Sequence, residues 1–284
     1  MRLLVSILSV VLSVMSIQGQ TSTYVIREVT SDHSLPGGGC KIIVELPSNA
    51  STTVMGHITR YVKAQLTEFG CDRYPDAIPT ISSGSSFSQM LDAYSHSIAE
   101  SYSTAHNNMF VTPTEELKQN EEAMRIMRDW TVVIEFRLKA DTDDYISFLA
   151  SMLEDVGGFN STTWQVPTSI RKSDGLPIEN IFKREREDHM QFTLRKLYMS
   201  QHPNTNIFNG DDNDQKLRFP VEEPWFAPDG LHLIYNPGEL FGLPHDCSEL
   251  VIPISEALPC ISKESKILLI NNAQHDNQTD NQHP

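Results

Sequence analysis

The stretch WTVVIEFRLKA, residues 130–140, constrains this chain more than any other. Val132, Ile134, Phe136 and Leu138 fall on one side, and Glu135, Arg137 and Lys139 on the other. A period of two with charges confined to one side is the pattern of a half-buried antiparallel strand. Such a strand needs neighbours in a sheet and a cover for its apolar face. Upstream, TYVIREV and CKIIVEL are rich in β-branched residues and flank the turn SLPGGG at 34–39, so they read as paired strands. The cover is supplied between them and residue 130. Val54, Ile58, Tyr61, Val62, Leu66 and Phe69 recur at helical spacing, with Ser51 or Thr52 to cap the start and Gly70 to end it. Residues 72–84 are rich in Pro, Ser and Gly and read as a loop. Residues 86–106 and 114–128 read as two further helices. The expected fold is α+β, antiparallel sheets with helices packed on one face, in two small tightly joined subdomains.

The expected organisation is a signal peptide at 1–19, an N-terminal α+β subdomain at 20–140, a C-terminal α+β domain at 141–262 and a disordered tail at 263–284. Arg2 is a minimal charged start, Leu3 to Ile17 is apolar, and Gly19 suits the cleavage position; this is the pattern of a secretory signal, and it is short for a membrane span. The protein is therefore expected outside the cytoplasm, secreted or periplasmic. In that compartment the four cysteines, Cys40, Cys71, Cys247 and Cys260, are candidates for disulfides. A strand out and a helix back would bring Cys71 near Cys40, leaving Cys247 with Cys260; four buried thiols are the alternative. With 39% hydrophobic residues the chain can bury a real core, and a net charge of −15 with no basic stripe argues against nucleic acid.

In the C-terminal half, residues 144–158 fit a strand or a helix equally well. STTWQVPTSIRKSDGLP reads as a strand ending in an Asp-Gly turn, and the segment from Ile178 to Gln201 as a helix. Asp211, Asp212 and Asp214 lack the spacing and closing Glu of a calcium loop. No nucleophile motif, zinc motif or phosphate loop is present, and no cofactor or metal is implied. FAPDGLHLIYNPGEL, residues 226–240, offers a Pro-Asp-Gly turn and then His232, Tyr235 and Glu239. Leu231, Leu233 and Tyr235 read as core, and Glu239 as a turn cap or a solvent-facing group.

The run FAPDGLHLIYNPGELFGLPHDCSELVIPISEAL, residues 226–258, resembles the C-terminal signature of the RsiV-type extracytoplasmic domain, which also occurs in PdaC-type peptidoglycan deacetylases outside their catalytic domain. The matching residues are Phe226, Asp229, Gly230, Tyr235, Pro237, Glu239, Val251, Ile252, Pro253, Ser255 and Leu258. The start of the chain is similar to the smaller domain that commonly precedes it. The resemblance favours a strand at 144–158, where the family has a strand ending Gly-Gly-Ala-His. Gly157 and Gly158 are kept, and Phe159 and Asn160 replace the last two. Gly238 and Cys247 are further departures. The resemblance implies a non-catalytic sensor or binding module of the cell envelope, with lysozyme-like proteins or cell-wall glycan as partners. The candidate binding residues are Gly157, Gly158, Phe159, Asn160, His232, Tyr235, Glu239 and His245. The rival readings are an envelope hydrolase using carboxylates near Glu239 with His232 or His245, and a structural envelope protein with no ligand.

Overall fold

The computed structural model describes residues 10–13, 26–71, 78–82, 84–110, 128–157, 161–203, 216–240 and 247–279. The chain is α+β. Six strands form one sheet in the order β1 (Val10–Ser13), β2 (Ile26–Leu35), β3 (Gly38–Pro47), β4 (Trp130–Asp141), β5 (Tyr145–Asp155) and β6 (Thr162–Arg171). A second sheet holds β7 (Trp225–Ala227), β8 (Gly230–Tyr235) and β9 (Ser248–Pro253). The helices are α1 (Thr52–Cys71), α2 (Phe87–Met109), α3 (Glu187–Gln201), the single turn α4 (Ile254–Ala257) and α5 (Lys263–Thr279). β1 lies within the segment read as a signal peptide. No helix among the described residues is long and apolar enough to cross a membrane.

The chain divides into two compact units, and the division falls inside β4 and β5. One unit is built on Val25–Phe136 and Ser151–Thr162, the other on Arg137–Ala150 and Thr163–Pro284. A single cut after residue 140 therefore does not describe the chain, because the end of β5 returns to the first unit.

In the first unit β2 and β3 form an antiparallel hairpin, with Leu35 opposite Gly38 and Ile26 opposite Pro47. β4 then pairs with β3 in parallel, Cys40 opposite Val132 and Val44 opposite Phe136. The sheets are antiparallel-rich, as expected, and this pair is parallel. A parallel neighbour needs a long crossover, and the segment carrying α1 and α2 provides it. Ser51 caps α1 through Val54 N–H at 3.2 Å. A reciprocal capping box closes the start of α2: Gln89 N–H donates to Ser86 Oγ at 3.2 Å, and Ser86 N–H to Gln89 Oε1 at 2.8 Å. Leu91, Tyr94, Ile98 and Tyr102 of α2 are buried with Ile42, Val44, Val132, Ile134 and Phe136. Each such side chain contributes about 1.5–3 kcal/mol. The alternation in 130–140 is observed as expected, with Trp130, Val132, Ile134, Phe136, Leu138 and Ala140 all buried.

The glycine run at 37–39 is more than a turn. Gly37 has φ 87° and makes the bend, whereas Gly38 lies in β3 where α2 presses on the backbone. A Cβ there would sit 2.2 Å from Ser103 N and 2.6 Å from Ala99 O.

In the second unit the core gathers Tyr145, Met190, Leu194, Tyr198, Phe226, Leu231, Leu233, Tyr235, Leu250 and Ile252. α3 begins at Glu187 rather than near Ile178. Asn180 takes φ 53° and Phe182 bridges to Ile261, so the chain stays extended until a tight helical turn at Arg184–Arg186. At its end α3 closes the edge of β9. Gln201 donates to Val251 O at 2.7 Å and accepts from Val251 N–H at 3.1 Å, so its amide stands in for a neighbouring strand. The tail reading is also corrected. Residues 263–279 are helical, because Ser262 receives the Ser265 N–H at 3.1 Å and Leu269 is buried in the core.

Cys40, Cys247 and Cys260 remain thiols, and no disulfide forms among the described residues. The side chain of Cys71 lies outside them. Cys40 is buried in β3 opposite Val132. Burial, reinforced by Asp32, holds its thiol far above the ordinary range, which makes it inert.

Gly38→Ala should destabilise the protein by about 3 kcal/mol through overpacking. Gly39→Ala, whose Cβ would meet nothing nearer than Thr131 Cγ2 at 3.5 Å, should change stability by less than about 1 kcal/mol. Urea unfolding midpoints of the two variants check this contrast.

Candidate functional site

β7 and β8 form a hairpin whose two-residue loop is Pro228-Asp229, with Ala227 opposite Gly230. Gly230 is required by close approach, since a Cβ would lie 2.1 Å from Ile252 O. Side chains alternate between two faces. Leu231, Leu233 and Tyr235 enter the core, as expected, and Phe226 joins them. Trp225, Ala227 and Ile234 pack with Leu149 in a separate cluster.

His232 shares the face of Trp225 and stacks on its ring, 4.8 Å between centroids at 28°. Its Nε2 meets Asp229 Oδ1 at 2.8 Å and its Nδ1 meets Glu249 Oε1 at 2.6 Å. Both nitrogens face carboxylates, so both donate and the ring is an imidazolium. Burial alone would lower its pKa, but the two carboxylates outweigh it and raise the pKa from 6.5 to about 9. The hydrogen bonds from His232 in turn hold the Asp229 and Glu249 carboxyls below their usual range. Glu249 escaped the sequence reading. The alternation of SELVIP carries the signal, since Leu250 and Ile252 face the core and Glu249 and Val251 face away.

Tyr235 and Glu239 do different work. Tyr235 Oη donates to Arg218 O at 2.9 Å, and burial pushes its phenol well above the ordinary range. Glu239 accepts from Asn236 N–H at 2.5 Å and from Val221 N–H at 2.7 Å. Together they hold the segment 218–221 against the end of β8. Asn236, which is 1% exposed, extends the same scaffold: it accepts from Gln165 N–H at 2.8 Å and donates to Gln165 O at 2.9 Å. Gly157 belongs to the other unit, with φ 67° and its N–H on Asp155 Oδ1 at 3.1 Å. Gly158, Phe159, Asn160 and His245 lie outside the described residues, as does the Asp211–Asp214 loop. Among the described residues no cluster of His, Cys, Asp and Glu is suited to hold a metal ion.

The segment that Tyr235 and Glu239 hold forms a wall of a concave pocket of about 300 Å³. Phe182 and Phe219 line it with rings 4.7 Å apart at 41°, and Leu233 of the hairpin lines it too. Lys183, Arg184, Glu187, Glu222 and Glu223 supply its charges. Burial raises the Glu223 pKa, the Asn180 backbone N–H opposes that, and Glu179 adds to the rise. The sequence reading missed this pocket because its lining comes from segments about forty residues apart, 180–187 and 219–224.

No protein-family model matches the sequence, and no curated protein matches it. Among solved structures, a member of the DUF3298 family from Bacteroides fragilis aligns over 95% of this chain and 99% of its own, with a TM-score of 0.64 and 14% identity. The chain shares the fold of that DUF3298 protein. A DUF3298 protein from Pseudomonas aeruginosa aligns over 92% and 96% with a TM-score of 0.49 and 8% identity.

The charged cluster makes stability depend on pH. The His232 contribution is complete below its unfolded value of 6.5 and is lost as pH rises through about 9. The carboxylate contributions are present above the ordinary values of 3.8 and 4.5 and are lost as pH falls through the lower folded values. His232→Gln should cost about 2 kcal/mol at pH 6.5, and the gap from the parent should narrow above pH 9. Urea unfolding at the two pH values measures it.

Proposed function

We propose that this chain is a non-catalytic, extracytoplasmic binding protein of the cell envelope, of the RsiV type, that takes cell-wall glycan at the pocket lined by Phe182, Phe219 and Leu233. The observation that carries this reading is the use of the hairpin's polar groups. Tyr235 and Glu239 brace a pocket wall, and His232 is held by Asp229 and Glu249. A hydrolase built on Glu239 and His232 needs the two to converge on one substrate atom. Here they bond to different partners on separate tasks, which counts against that arrangement. An aromatic pair with ringed charges supports binding, since the apolar face of a sugar ring is buried against the rings while its hydroxyls meet polar groups.

A second reading, capture of a lysozyme-like protein, is favoured by the net charge of −15, which attracts a cationic partner at low salt. Calorimetric titration with N-acetylglucosamine oligomers, and separately with lysozyme at low and high salt, tests both. Saturable glycan binding without product release is expected. Phe219→Ala should weaken it at least about tenfold, equivalent to about 1.4 kcal/mol. Glycan turnover would overturn the non-catalytic reading. Lysozyme binding that Phe219→Ala leaves intact would move the function to the acidic surface.

A further inference from the structure

We infer that the pocket selects an acidic amino sugar, one whose ring carries a carboxylate, over its neutral counterpart. This rests on the glycan-binding reading above and names the ligand class of the same site. Three features of the lining carry it.

Lys183 and Arg184 both line the pocket, and neither forms an ion pair among the described residues. Lys183 is half-buried. A cation partly withdrawn from water without a counter-ion is costly, and an arriving carboxylate removes that cost with a charge-assisted hydrogen bond. The segment is also fixed in place. Lys183 N–H donates to Cys260 O at 2.8 Å, and Phe182 bridges to Ile261, so the two cations are presented by an ordered backbone.

The carboxylates in the lining do not cancel this. Glu223 already accepts the Asn180 backbone N–H. Glu187 is exposed at the first turn of α3, where the helix dipole favours it. Glu223 has a second carboxylate oxygen left to accept from a sugar hydroxyl or amide donor. A ligand matching the whole lining thus has donors, one carboxylate and an apolar ring face.

The third feature is size. About 300 Å³ is at the small end of ligand sites, roughly 300–1,000 Å³. It suits one ring with its substituents, not a length of polymer. N-acetylmuramic acid and N-acetylglucosamine provide matched probes, because they share a ring and differ in a lactyl carboxylate.

The experiment is titration of the full chain with each sugar at low and high salt, for the parent and for K183M/R184M. The acid should bind about tenfold or more tightly than the neutral sugar at low salt. That advantage should shrink as salt screens the ion pairs, and the double variant should bring the acid down to the affinity of the neutral sugar. Equal affinities in the parent would overturn the inference while leaving glycan binding in place. An acid advantage that survives in the double variant would also overturn it, since the selectivity would then lie elsewhere. Binding of neither sugar would overturn this inference and the glycan reading together. Thermal midpoints equal to the parent's would show that the double variant is folded.

Discussion

Two buried serines hold the hairpin in place. Ser147 Oγ donates to Phe226 O at 2.7 Å, and Phe226 N–H donates to Ser169 Oγ at 2.8 Å. The two hydroxyls are 2.7 Å apart. With one proton each, the only consistent arrangement is a closed relay in which Ser169 donates to Ser147. β7 has only three residues, so the backbone of Phe226 would be orphaned in the core without this relay. An orphaned buried group costs about 1–3 kcal/mol. The relay also sets the register. Phe226 must face the core while Trp225 faces the other way, and the alternation through β8 and β9 follows. A shift of one residue would bury His232 and expose Leu231 and Leu233.

Every functional side chain in this unit inherits its position from that register. Leu233 reaches the pocket from the core face. Tyr235, two residues on, reaches Arg218 O, and Glu239 in the following loop reaches Val221 N–H. On the opposite face His232 is left with two carboxylates and the Trp225 ring. One hairpin therefore separates two roles by face, a charged cluster that stabilises and a wall that shapes a cavity. Of the residues considered for chemistry, Tyr235 and Glu239 brace the pocket wall and His232 does not.

Much of the fold was legible because it is written in short-range pattern. The strand at 130–140, the Ser51 cap, the turn before Gly230 and the inward Leu231, Leu233 and Tyr235 needed only period and turn chemistry. What escaped depends on residues far apart in the chain. The parallel pairing of β3 with β4 is set by the crossover and not by either strand. Gly38 looks like turn glycine until Ser103 is seen against it. The helical pattern of 178–201 starts early because Ile178 and Ile181 are core residues in an extended segment, which periodicity cannot tell from a helix face. Glu249 and the pocket needed strands and loops brought together before they could be recognised. The polar end of the tail masks the anchor that Leu269 gives α5. The cysteines were read from compartment chemistry, and the structure buries Cys40 where packing has use for a small apolar group.

On the proposed function, the hairpin supports a binding pocket on one face and stabilises the fold on the other. Mapping backbone amide shifts on titration with N-acetylmuramic acid tests this most directly. The account predicts perturbations in 180–187 and 219–224 and at Leu233, with the amides of Asp229, His232 and Glu249 unmoved. Perturbations centred on those three residues would contradict it.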